Sequence, residues 1–79
     1  MDEFERSIMD YVATLDQSGR AITPETRLLE GGVLDSINLV QLVHFLEERF
    51  GIAIGDADIR PEVFESTGAI AAYVRARAG

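Results

Sequence analysis

Leu39, Leu42, Val43, Leu46 and Phe50 recur at helical spacing, and that stripe leaves little freedom in what the chain can fold into. At about 100° per residue, a helix from Ser36 to Phe50 turns all five to one side, and Gly51 supplies its stop. A second stripe lies upstream. Phe4, Ile8, Tyr11, Val12 and Leu15 follow i, i+4, i+7, i+8 and i+11, which predicts a helix from about Asp2 to Gln17. Asp2, Glu3 and Glu5 complement the dipole of its first turn, and Ser18-Gly19 ends it with Gly19 as the C′ residue. A third helix starts near Ser66 or Thr67 and runs to about Arg77. It turns Ile70, Tyr73 and Val74 inward and places Arg75 and Arg77 at its C-terminal end.

Two connectors complete the chain. From Arg20 to Leu34 it reads as a long loop, with turn chemistry at Thr23-Pro24-Glu25-Thr26 and a Gly31-Gly32 pair that disfavours helix. Ile22, Leu28, Leu29, Val33 and Leu34 should pin that loop to the core. Ile52-Ala53-Ile54 is too short to read as a strand and suits an extended connector that plugs the core. Asp56 to Phe64 reads as one or two short helical turns, with Pro61 at a first helical position. The sum is an all-α bundle of three main helices and a short third element, with one long loop between the first two helices. Seventy-nine residues give one core and hence one domain, 1–79.

Composition removes several function classes. There is no cysteine, so there is no disulfide framework, no thiolate zinc site and no thiol nucleophile. Fourteen acids against seven arginines give a formal charge of −7, which disfavours nucleic acid and anionic lipid and suits basic protein partners. No apolar run approaches a membrane span, and the acidic start Met1-Asp2-Glu3-Phe4-Glu5 is the reverse of a targeting peptide. A cytoplasmic monomer is the expectation.

The stretch Leu28 to Ile37 draws the chemical question, because Gly31-Gly32-Val33-Leu34-Asp35-Ser36 displays a hydroxyl at a helix start. A nucleophilic serine needs a base, but the one histidine, His44, lies eight residues along the same helix, roughly 12 Å away by helical rise. With no lysine to replace it, a Ser-His device within one chain is excluded, and no enzymatic turnover is expected. Asp56-Ala57-Asp58 starts like a calcium loop. Arg60 and Pro61 then break it, and Thr67 stands where the closing glutamate belongs, so no metal is assigned. Gly31-Gly32 lacks the lysine and spacing of a phosphate loop. Asp35 and Ser36 are both favoured N-cap residues and one of them serves that role, so composition and spacing alone favour capping without further function, although the spacing does not decide it. Ile37 and Val40 fall near the polar side with Gln41, His44 and Glu48. They are either stray exposed side chains or a contact patch.

Around these residues the chain resembles acyl and peptidyl carrier proteins. Leu34-Asp35-Ser36-Ile37 is similar to the family's phosphopantetheine attachment motif. The likeness continues through Val40-Gln41-Leu42-Val43 and Leu46-Glu47-Glu48-Arg49-Phe50-Gly51-Ile52 to Ile54. It resumes at Phe64-Glu65-Ser66-Thr67-Gly68-Ala69-Ile70-Ala71-Ala72-Tyr73-Val74.

The resemblance implies a four-helix bundle in which a phosphopantetheinyl transferase attaches 4′-phosphopantetheine from coenzyme A to Ser36. The thiol of that arm would hold acyl or aminoacyl groups as thioesters, and the helix N-terminus would favour its phosphate. It also implies a docking face of Asp35, Ile37, Val40, Gln41, His44, Glu47 and Glu48. An acyl- or aminoacyl-loading enzyme, then a ketosynthase, condensation or tailoring enzyme, would meet that face. Charge reversal at Glu47 and Glu48 is expected to weaken docking and spare the fold. Asn38 and Gln41 stand where fatty-acid carriers usually place acids, and Ile59 to Ser66 looks like discrete carriers of specialised pathways. Polyketide or nonribosomal peptide assembly is therefore the first expectation. A D-alanyl or fatty-acid carrier, or an unmodified helical interaction module, are the alternatives.

Overall fold

In a computed structural model, which describes residues 3–16, 19 and 21–78, the chain forms α1 (Glu3–Leu15), α2 (Ser36–Phe50), α3 (Pro61–Phe64) and α4 (Thr67–Ala78). A single 3-10 turn, Asp56–Asp58, precedes α3. Asp2, Gln17 and Ser18, expected at the ends of the first helix, lie outside the described residues. Gly19 has φ +77° as a stop residue would, but it lies well beyond Leu15 and is not the C′ residue of α1. At the other end of the bundle Gly51 takes that role for α2 with φ +64°.

The helical stripes become the core. Ile8 and Val12 of α1, Leu42, Val43 and Leu46 of α2, and Ile70 and Val74 of α4 are buried. Helix α1 packs on α4 and α2, and α3 packs on α4. Phe4, Tyr11, Leu15, Leu39, Phe50 and Tyr73 are half-buried at the edge of this core. Phe45, off the α2 stripe, is half-buried too, because Tyr11 of α1 stacks on it with ring centroids 4.2 Å apart. Thr67 and Ala71 add small buried positions on α4.

The long loop is held as its apolar residues require. Leu28, Val33 and Leu34 are buried, and Ile22 and Leu29 pack at the core edge. Its backbone is tied to the α3–α4 junction: the Leu28 amide donates to Glu65 O at 2.9 Å, and Gly68 to Pro24 O at 3.0 Å. A Cβ on Gly68 would sit 3.0 Å from that same Pro24 oxygen, so glycine is what lets the loop approach α4. Beside it, the Ser66 hydroxyl caps α4 by accepting from the Ala69 amide at 3.1 Å. The loop therefore reaches α2 as a fixed lead-in.

Candidate functional site

Local hydrogen bonding decides what Asp35 and Ser36 each do. One oxygen of the Asp35 carboxylate accepts from the amides of Ile37 and Asn38, both at 2.9 Å. Asn38 completes the reciprocal box, its Oδ1 accepting from the Asp35 amide at 2.6 Å. Its Nδ2 also donates to Val33 O at 2.9 Å, which locks the loop to the helix start. Asp35 is thus the N-cap, and Ser36, the first helical residue, is exposed with its hydroxyl not required for the cap. The capping alternative belongs to Asp35 and leaves the serine to spare.

The same cap alters the electrostatics expected at the serine. Asp35 already occupies the amides of Ile37 and Asn38, so an anion on Ser36 would not receive those two donors. It keeps the general field of the helix N-terminus, opposed by the neighbouring carboxylate. An electrostatically favoured phosphate is therefore a weaker expectation than the bare helix start gives.

Ile37, Val40, Gln41, His44 and Glu48 are exposed along one side of α2, with Asp35 exposed at its head. Ile37 keeps 73% and Val40 56% of its surface, a large apolar exposure in so small a chain. Glu47 departs from this pattern. It is half-buried, and its carboxylate accepts from the Ile54 amide at 2.9 Å. The expectation that both glutamates can be reversed without touching the fold is corrected for Glu47, because Ile52 to Gly55 crosses beside it and presents an amide it must satisfy.

Two concavities flank this face. A groove of about 290 Å³ runs between Leu39, Val40 and Val43 of α2 and Ile54 and Ile59 of the connector, with His44, Glu47 and Asp56 lining it as polar groups. On the α1 side a more polar hollow of about 340 Å³ is lined by Thr14, Leu15, Asp35, Ile37, Asn38 and Gln41. Sequence reasoning named the outer face of α2 but not the groove, since the wheel of one helix says nothing about which segment crosses it. The Asp-x-x-Asn spacing of Asp35 and Asn38 was a readable signal for the capping box.

Behind the groove, the Tyr73 hydroxyl donates to Asp58 Oδ2 at 2.8 Å. Burial, and then this hydrogen bond, push the tyrosine above its ordinary range. Among the described residues no group of three or more His, Asp or Glu side chains is placed to hold a metal ion. No helix there is long and apolar enough to cross a membrane.

Residues 6–74 match the family model described as "Phosphopantetheine attachment site". An acyl carrier protein of Helicobacter hepaticus is 34% identical over 76 residues, covering 96% of this chain and 97% of that one. An acyl carrier protein of Thermotoga maritima is 32% identical over 74 residues, covering 94% and 86%. Among solved structures, a chain from one described as the crystal structure of an FAD-dependent dehydrogenase superposes with a TM-score of 0.75. It is 31% identical, over 85% of this chain and 97% of that one.

Proposed function

Because the chain belongs to the phosphopantetheine attachment family of acyl carrier proteins, with 4′-phosphopantetheine as its covalent cofactor, we propose that Ser36 is the residue that bears the group. The observation that carries this is the division of labour at the head of α2: Asp35 caps the helix, and Ser36 stands exposed beside it as the first helical residue. The residues fit a tether. A transferase can approach an exposed first helical residue without unfolding anything, and the Asn38 box keeps the backbone beneath it rigid. When bound, the group supplies the thiol that holds cargo as a thioester, which this cysteine-free chain lacks.

An acyl carrier protein works with a phosphopantetheinyl transferase and with acyl-processing enzymes. We assign their docking to Asp35, Ile37, Val40, Gln41, His44 and Glu48, with Glu47 at the groove edge. Exposed Ile37 and Val40 give a small apolar centre, and the acids around them suit a basic partner with salt-sensitive, transient contact. The groove of about 290 Å³ is on the order of ten water volumes, room for a short apolar cargo against Leu39, Val43 and Ile59. The whole chain serves as one carrier domain in the cytoplasm, and reaction chemistry stays with its partners.

For the pathway we favour polyketide or nonribosomal peptide assembly. Asn38 and Gln41 in place of acids, and the short α3 with Pro61 at its first position, support that reading. A fatty acyl cargo accords equally with relatives named simply acyl carrier proteins. Incubation with a broad-specificity phosphopantetheinyl transferase and coenzyme A, followed by intact mass measurement, tests the assignment. One phosphopantetheinyl addition that disappears in Ser36→Ala is expected. No addition, the behaviour of an unmodified interaction module, or an addition that survives the substitution, overturns it.

A further inference from the structure

The far wall of the groove is residues 52–60, and it is thinly built. Its own hydrogen bonds are local turns: Asp58 to Gly55 O at 2.9 Å, Ile59 to Asp56 O at 3.1 Å and Arg60 to Asp58 O at 3.0 Å. Ile54 is its one buried side chain, and Ile52 and Ile59 are half-buried against the core. Such a wall takes its position from whatever holds its two edges. On the α2 edge it is held by the Glu47 carboxylate at the Ile54 amide.

On the α4 edge a denser set of contacts meets it. One oxygen of Asp58 accepts from the Tyr73 hydroxyl at 2.8 Å and lies 3.6 Å from Arg77 Nη1. Arg77 Nη2 donates to Ala53 O at 2.7 Å, reaching the other end of the wall. The guanidinium also lies 5.7 Å from the centre of the Tyr73 ring, which stiffens both side chains in one geometry. Tyr73 and Arg77 sit one helical turn apart on α4, so a single rigid element grips the wall at both ends.

We propose that Tyr73, Asp58 and Arg77 are positioning residues that fix the width of the groove and so determine which cargo the carrier shelters. This rests on the carrier reading and deepens it, since none of the three lies on the docking face or touches Ser36. The clasp acts through Ile54, Asp56 and Ile59, which line the groove on the side opposite α2. A hydrogen bond to a charged acceptor is stronger than a neutral one and directional, and the Arg77 ion pair at 3.6 Å steadies that acceptor, which suits a wall held mainly at its edges. The raised pKa of Tyr73 agrees with a phenol committed to donating. With the clasp intact, the groove keeps its present width and admits a short apolar chain. With the clasp broken, the wall swings about Gly51 and Pro61, and longer chains lose shelter from solvent.

The test has two arms. Amide hydrogen exchange is followed on the unmodified protein for wild type, Tyr73→Phe, Arg77→Gln and Asp58→Asn. Tyr73→Phe and Arg77→Gln should speed exchange at Asp58, Ile59 and Arg60 about fivefold or more, while Leu42 and Leu46 in α2 stay unchanged relative to wild type. Asp58→Asn keeps an acceptor for the phenol and should move these amides less, a rescue that a merely structural surface residue would not show. Unchanged exchange at 58–60 overturns the clasp. In the second arm, acetyl- and octanoyl-loaded carriers are exposed to hydroxylamine, and thioester loss is timed by mass. Wild type should protect octanoyl relative to acetyl, and Tyr73→Phe should lose that protection severalfold. A loosened wall with octanoyl protection intact overturns the cargo role. Failure to load at Ser36 overturns the carrier reading, and the exchange arm on unmodified chain separates that failure from a failure of the clasp.

Discussion

Replacing Glu47 by alanine isolates the contact that ties the connector to α2. The carboxylate accepts from the Ile54 amide at 2.9 Å, and the Ile54 side chain is 8% exposed. Removing the acceptor strands that amide beside the core. A hydrogen bond to a charged group contributes about 1.5–3 kcal/mol to stability. Glu47 is half-buried, so solvent screens part of this, and about 1–2 kcal/mol is the expected loss. For a domain of this size that lowers Tm by roughly 4–16 °C. Its neighbour supplies the control: Glu48 is exposed, and Glu48→Ala should stay within about 0.5 kcal/mol of wild type. Glu47→Gln keeps an acceptor oxygen and should fall between the two. The assay is urea unfolding followed by circular dichroism, with thermal melts alongside. Equal stabilities for the Glu47 and Glu48 alanine variants would refute the reasoning, since only Glu47 holds the Ile54 amide.

Asp35→Ala removes both bonds of the helix cap and should cost about 1–2 kcal/mol in urea unfolding, with faster amide exchange at Ile37 and Asn38. Glu48→Lys should leave the fold intact yet slow loading by a partner enzyme at low salt, with the difference shrinking as salt rises; unchanged rates would remove Glu48 from the docking face. Tyr73 has a folded pKa above its ordinary 10.0, so its contribution to stability is fully present below that value and is lost as pH rises through the folded pKa. Melts from pH 9 to 11 should therefore show an alkaline loss that Tyr73→Phe lacks.

The three main helices were legible because their apolar residues repeat at the period of a helix, and Ile8, Leu42, Leu46, Ile70 and Val74 are buried accordingly. The loop was legible for a similar reason: Leu28, Val33 and Leu34 cannot be left in water cheaply, so the segment must pack. The motif drew attention to the head of α2, but it could not divide the work between two adjacent cap residues. That division depends on Asn38, whose side chain bonds the Asp35 amide and Val33 O at once. Phe45 was left unassigned and Glu47 was placed wholly on the outer face for one cause. A helical wheel orders side chains about their own axis and contains neither the Tyr11 ring that covers Phe45 nor the Ile54 amide that recruits Glu47. Tyr73 was placed toward the core by its spacing, yet its hydroxyl needs a partner, and Asp58 is fifteen residues away in sequence. Such a contact forms only where the 3-10 turn ahead of α3 meets α4, which no local pattern encodes.

The central claim concerns one oxygen atom, the hydroxyl of Ser36. Its most direct test is fragmentation mass spectrometry of the chain after treatment with coenzyme A and a broad-specificity phosphopantetheinyl transferase. The account predicts that every modified fragment contains Ser36 and that the added mass maps to that residue. A group mapped to another hydroxyl, such as Ser7, Thr23 or Ser66, or a chain recovered wholly unmodified, would contradict it.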